Sequence, residues 1–135
     1  MNFLVDTNVI VEILLEQENA SEARAALNLT GKHEFCISDF SLHSIGVILF
    51  RRNRNEVYQQ FLHDLTFNAR RKILYLSVSE LGRISAFTTR FKLDFDDAYQ
   101  YALADKYGLT ILSYDRDFDR TDRGRKTPKE ILAQN

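Results

Sequence analysis

Four short apolar runs, at residues 3–5, 35–37, 73–76 and 109–112, alternate along this chain with segments of helical periodicity, and that alternation limits the fold more than any other feature. Each run is too short for a buried helix and is apolar on consecutive residues, the pattern of a strand covered on both faces. Between the first two runs, Val9, Ile10, Ile13 and Leu14 recur at spacings of three and four, and a second helical pattern covers 21–29 ahead of Gly31. Ser38 or Asp39 can cap the next helix, which carries Phe40, Leu42, Ile45, Ile48 and Leu49 inward and finishes in the basic cluster Arg51, Arg52 and Arg54. A further helix is expected over 56–69. Ser77 or Ser79 opens one running to about residue 91 through Leu81, Ile84 and Phe87, and Asp94 caps another that stops at Gly108. After the polar stretch 113–126, Thr127, Pro128 and Glu130 have the spacing of an N-cap, a first-turn proline and a capping-box acid. Strands alternating with helices in this way predict an α/β fold, a mainly parallel sheet with helices on both faces and right-handed crossovers.

At 135 residues the chain suits a single domain, 1–135, able to bury a core without disulfides. The lone Cys36 sits inside an apolar run, where a small buried hydrophobe fits a reducing, cytoplasmic setting. Asp6 and Glu12 interrupt the N-terminal apolar runs before signal-peptide or membrane-spanning length, so no membrane partner is expected. A net charge of -1 points to no partner by itself, because an acidic site and a basic surface cancel in the sum.

Three aspartates sit where a parallel sheet binds ligands, beyond the carboxyl ends of its strands. Asp6 ends the first run, Asp115 lies just past the last, and Asp97 falls in the first turn of the helix before it. Carboxylates gathered there would repel one another unless a cation compensates them, and hard oxygen ligands favour Mg2+ or Mn2+. Singly, each acid has a plainer use: Asp6 as a helix cap, Asp97 as third-position partner of Asp94, Asp115 as a turn residue.

Their sequence context resembles a known family. Val5-Asp6-Thr7-Asn8 is similar to the first motif of PIN domains, Asp97-Ala98 with Ala102, Ala104 and Gly108 to the third, and Ile111-Leu112-Ser113-Tyr114-Asp115-Arg116-Asp117-Phe118 to the fourth. The motifs occur in the family's order and intervals from residue 3 to about 119. The resemblance implies a three-layer α/β/α sandwich and a Mg2+- or Mn2+-dependent endoribonuclease. Asp6, Asp97 and Asp115 would be catalytic and hold the metal together with Asp117, with Thr7 and Ser113 orienting the carboxylates. VapC-type toxins of bacterial toxin-antitoxin pairs match in size, which implies an RNA substrate, a small antitoxin and a homodimer. Phe61, Leu62, Leu65 and Phe67 are candidates for its surface.

One position departs from the pattern. Aligning residues 37–44 to the second motif puts Ser44 where the family has a glutamate, and Asp39, His43, Asp96 and Asp117 are the candidate substitutes. The alternative reading follows: a degenerate PIN domain that only binds RNA or protein. Arg116, Arg120, Arg123, Arg125 and Lys126 form a basic cluster that could hold phosphates, though Asp117, Asp119 and Asp122 interleave with it. A dehalogenase-like phosphatase would need a second aspartate where Asn8 stands, and a receiver domain would need paired acids at the first strand and a lysine after the last.

Overall fold

A computed structural model of the chain describes residues 1–67 and 71–134. Its elements are β1 (Asn2–Val5), α1 (Thr7–Leu14), α2 (Ala20–Leu27), β2 (Glu34–Ser38), α3 (Asp39–Arg51), α4 (Asn55–Phe67), β3 (Lys72–Leu74), α5 (Val78–Leu81), α6 (Ile84–Phe91), α7 (Phe95–Tyr107), β4 (Thr110–Leu112), a 3-10 turn (Arg116–Arg120) and α8 (Pro128–Ala133). The strands pair in parallel in the order β3-β2-β1-β4. Because β1 stands between β2 and β4, the order reverses at β1, and the crevice between the ends of β1 and β4 is the natural ligand position.

Alternation along the strands divides the core in two. Leu4, Cys36 and Ile111 face the side packed by Ile84, Phe91, Tyr101 and Leu103. Phe3, Val5, Phe35, Ile37 and Leu112 face the side packed by Val9, Ala23, Ile45, Leu49 and Ile131. The result is the expected α/β/α sandwich. Each fully buried residue of β1 stabilises it by roughly 1.5–3 kcal/mol relative to exposure. Beyond β4, Lys126 donates its N–H to the Ile111 carbonyl at 2.8 Å and its carbonyl accepts from Ser113 N–H at 3.0 Å, which extends the sheet by one bridge.

Several boundaries differ from the sequence reading. The expected strand 73–76 is the edge strand β3, Lys72–Leu74, and Ile73 and Tyr75 are exposed, because no strand pairs its far side among the described residues. The single helix expected up to residue 91 is split into α5 and α6. Gly82 is a weak helix former, and Arg83 N–H bonds the Glu80 carbonyl in a tighter turn. Helix α2 ends at Asn28 rather than near Gly31. The polar stretch contains the 3-10 turn, pinned by the fully buried Phe118. Ser38, not Asp39, caps α3 by accepting Ser41 N–H at 2.9 Å, and Asp94 occupies the N-cap of α7 without a side-chain bond. The expected capping box of Thr127 with Glu130 is formed, Ser77 is the residue that caps α5, and Glu80 makes a second capping box with it. The expected end of the 56–69 helix lies outside the described residues. Among those described, no helix is long and apolar enough to cross a membrane.

Candidate metal centre

Asp6 leaves β1 in an extended conformation, its N–H bonded to the Leu112 carbonyl at 2.9 Å, and becomes the N-cap of α1. That position turns its carboxylate inward among neutral donors. Oδ1 accepts from Thr7 N–H at 2.8 Å and Gln100 Nε2 at 3.1 Å. Oδ2 accepts from Ser113 Oγ at 2.6 Å and Asn8 Nδ2 at 3.3 Å. Four donors occupy a group with about four lone-pair sites. Burial nevertheless raises the Asp6 pKa above its ordinary value, with the charge of Asp115 adding to the rise and the donors from Ser113, Gln100 and Thr7 opposing it.

A second kind of environment lies alongside. Carboxylate oxygens of Asp97, Asp115 and Asp117, all half-buried, come within 4.8 Å of one another. Asp97 reaches this group from the first turn of α7, where the helix N-terminus favours negative charge. Even so, burial and then the charges of Asp115, Asp6 and Asp117 push its pKa up to about 7. Asp115 caps the 3-10 turn through Asp117 N–H at 2.8 Å, and its own N–H donates to Ser113 Oγ at 2.9 Å. Asp117 accepts from Arg120 Nη1 at 2.9 Å.

Asp6, Asn8, Ser44, Asp96, Asp97, Gln100 and Asp115 line one cavity of about 320 Å³. The fold thus brings Asp6, Asp97 and Asp115 to a single cavity, while the tight oxygen cluster consists of Asp97, Asp115 and Asp117 and does not include Asp6. Crowded carboxylates, one of them with its pKa pushed up to about 7, offering only oxygen donors, suit a hard divalent cation.

The other candidates separate. Ser44 does line the cavity, so a carboxylate placed there would reach it. Asp39 is held elsewhere, its Oδ1 accepting from the Tyr99 hydroxyl at 2.7 Å and from Phe40 N–H at 2.8 Å. His43 is exposed, with Nδ1 2.8 Å from the Asp39 carbonyl, and neither residue borders the cavity. Asp96 borders its mouth and is exposed. Ser113 orients carboxylates as expected, whereas the Thr7 hydroxyl donates to Ser41 Oγ at 2.8 Å and only the Thr7 backbone reaches Asp6.

Three members of the basic cluster are engaged internally. Arg120 bonds Asp117 and the carbonyls of Phe91 and Lys92, Arg123 bonds the Leu109 carbonyl, and Arg125 bonds Asp119 and the Ser113 carbonyl. These guanidiniums fasten the polar stretch to the body. Arg116, next to Asp115, is exposed.

Sequence reasoning missed Gln100. It is 2% exposed and joins α7 to Asp6 and, at 2.9 Å, to Ser41 Oγ of α3. Its signal was an amide inside the otherwise apolar and aromatic run 98–104.

The PIN domain family model matches residues 3–124. No curated protein matches the chain. Among solved structures, VapC20 of Mycobacterium tuberculosis, a sarcin-ricin loop cleaving toxin, is similar at TM-score 0.74 and 16% identity, over 87% of this chain and 92% of that one. VapBC2 of Rickettsia felis bound to a promoter DNA fragment gives TM-score 0.72 and 17% identity over 94% and 97% of the two chains. A toxin-antitoxin complex of Klebsiella pneumoniae gives TM-score 0.71 and 23% identity over 93% and 96%.

Proposed function

Since this chain belongs to the PIN-domain family, we propose that it is a Mg2+- or Mn2+-dependent endoribonuclease and the toxin of a toxin-antitoxin pair. The observation that carries the reading is the meeting of Asp97, Asp115 and Asp117 beside the buried Asp6, at the point where the strand order reverses. Bound there, a divalent ion would supply the positive charge that polarises a phosphodiester and makes water acidic enough to attack at neutral pH. Everything else falls to the chain.

Asp97, Asp115 and Asp117 would hold the cation, with Asp6 beside them in the same cavity. With the Asp97 pKa pushed up to about 7 by burial and by its acidic neighbours, a cation would compete with its proton and would bind more tightly as pH rises. Asp6 contributes the fixed wall of the site, since its four hydrogen bonds leave its carboxylate little freedom to turn. Ser113 links the two halves by donating to Asp6 and accepting from Asp115 N–H. Arg116 meets a neighbouring phosphate of the strand. Hydrolysis adds water across the P–O3′ bond, with no part for the ribose hydroxyl as nucleophile.

A fold shared with a toxin described as sarcin-ricin loop cleaving and with toxin-antitoxin complexes supports the RNA and antitoxin parts of this reading. Exposed Val47, Phe50 and Phe67 on α3 and α4 support a homodimer, while Phe61, Leu62 and Leu65 are only partly exposed. Light scattering at micromolar concentration is expected to report twice the chain mass, and a monomer rejects the dimer. A second reading rests on Ser44: with a hydroxyl lining the cavity where the family carries an acid, the domain binds RNA or protein without cleaving. Purified protein incubated with structured RNA and Mn2+ separates the two. Cleavage that stops on chelation is the expected result, and binding without cleavage establishes the second reading instead.

A further inference from the structure

Gln100 lies one turn beyond Asp97 on α7, in a buried stretch whose other members are alanine, leucine and tyrosine. An apolar side chain would fill this position at no desolvation cost, so the amide calls for a physical reason. Its nitrogen has one: Nε2 donates to Asp6 Oδ1 at 3.1 Å and to Ser41 Oγ at 2.9 Å. An ionised carboxylate accepts and does not donate, so with Asp6 charged the amide nitrogen is the end that faces it.

The oxygen is the unexplained half. Oε1 is buried and has no hydrogen-bond partner among the described residues. Leaving a buried acceptor unsatisfied costs about 1–3 kcal/mol, and folded proteins retain few of them. Gln100 lines the same cavity as Asp6, Asp97 and Asp115. Four acids already gather around that cavity, so an additional oxygen donor without charge adds attraction for a cation and no repulsion among the ligands.

On the cation-dependent reading given above, we propose that Gln100, through Oε1, serves as an uncharged oxygen donor to the divalent cation held by Asp97, Asp115 and Asp117. Its two amide atoms then divide the work, the nitrogen fixing Asp6 and the oxygen serving the cation.

Titration with Mn2+ alone, followed by calorimetry and by the electron paramagnetic resonance signal of free Mn2+, tests this in the intact chain. Gln100→Met keeps the shape and removes both polar atoms. It is expected to weaken Mn2+ binding by about 10-fold or more, the range found for groups that support metal ligands. The same loss is expected when Gln100→Met is made in an Asp6→Asn background, because the oxygen acts on the cation and not through Asp6. Gln100→Glu keeps an oxygen donor and loses the N–H, and it is expected to bind Mn2+ at least as tightly as wild type. This variant decides the matter if the Met variants fail to fold. Wild-type affinity in Gln100→Met, a loss that disappears in the Asp6→Asn background, or a loss in Gln100→Glu equal to that in Gln100→Met each overturns the proposal. Absence of Mn2+ binding by wild type overturns the cation-dependent reading itself, and the proposal with it.

Discussion

Asp6 and Asp97 line the same cavity, yet Asp6 is surrounded by four neutral donors whereas Asp97 faces Asp115 and Asp117. Both carboxyl groups have raised pKa values, in each case chiefly through burial. The difference lies in what answers that burial. At Asp6 the protein supplies hydrogen bonds, so the group is part of the folded framework and joins β1, α1, α7 and the end of β4. At Asp97 the neighbouring carboxylates add to the effect of burial instead of offsetting it, so that half of the site is unfavourable alone. One half of the cavity meets its charge with hydrogen bonds from the protein, and the other gathers carboxylates.

The widest gap between the halves is expected in activity. Asp97→Asn and Asp115→Asn should each reduce Mn2+-dependent RNA cleavage to the level seen with chelator, because the amide keeps the shape and loses the ligand charge. Their cation-free melting temperatures should hold or rise as repulsion is relieved. Gel assays and thermal melts on the same preparations check both halves of this expectation, and full cleavage by either variant refutes the assignment.

Asp6 should behave in the opposite way in stability. Asp6→Ala leaves Thr7 N–H, Gln100 Nε2 and the Ser113 hydroxyl without their shared acceptor, a loss of about 2–3 kcal/mol in urea unfolding. Asp6→Asn should also lose stability, since one amide oxygen cannot serve donors on both sides of the group. The comparison breaks if Asp6→Asn and Asp97→Asn shift melting in the same direction.

Ser44→Glu sharpens it further. A carboxylate added to the cavity wall should tighten Mn2+ binding several-fold while lowering cation-free stability, because it adds negative charge to a cavity already lined by acids. Unchanged affinity in a Mn2+ titration would mean that the residue does not reach the cation.

A further difference is in pH. Asp97 titrates at about 7 in the folded protein against an ordinary value of 3.8, so the folded state holds the extra proton between them. Its contribution to stability is therefore complete below the lower value and is lost as pH rises through the upper one. Cation-free melting should decline across that window and the decline should shrink in Asp97→Asn. Added Mn2+ should stabilise progressively more toward alkaline pH. A cation-free profile identical in wild type and Asp97→Asn would count against this.

Legibility in the sequence followed the range of the signals. Asp6 could be located because it directly follows a short apolar run, Asp115 because it lies just past another, and Asp97 because it falls in the first turn of a helix with a clear stop at Gly108. The Thr127–Glu130 capping box was readable because its partners lie three residues apart. Gln100 was not, since its value depends on Asp6 and Ser41, 94 and 59 residues away. The partners of Arg120, Arg123 and Arg125 and the exposure of β3 depend likewise on how distant segments pack. Spacing along the chain cannot separate a guanidinium free to hold a phosphate from one fastening a loop.

Anomalous diffraction from crystals grown with Mn2+ tests the central claim most directly. The account predicts a manganese peak among the carboxylates of Asp97, Asp115 and Asp117, lost in Asp115→Asn crystals under the same conditions. A peak elsewhere on the protein, or none at these residues with Mn2+ in excess, would contradict it.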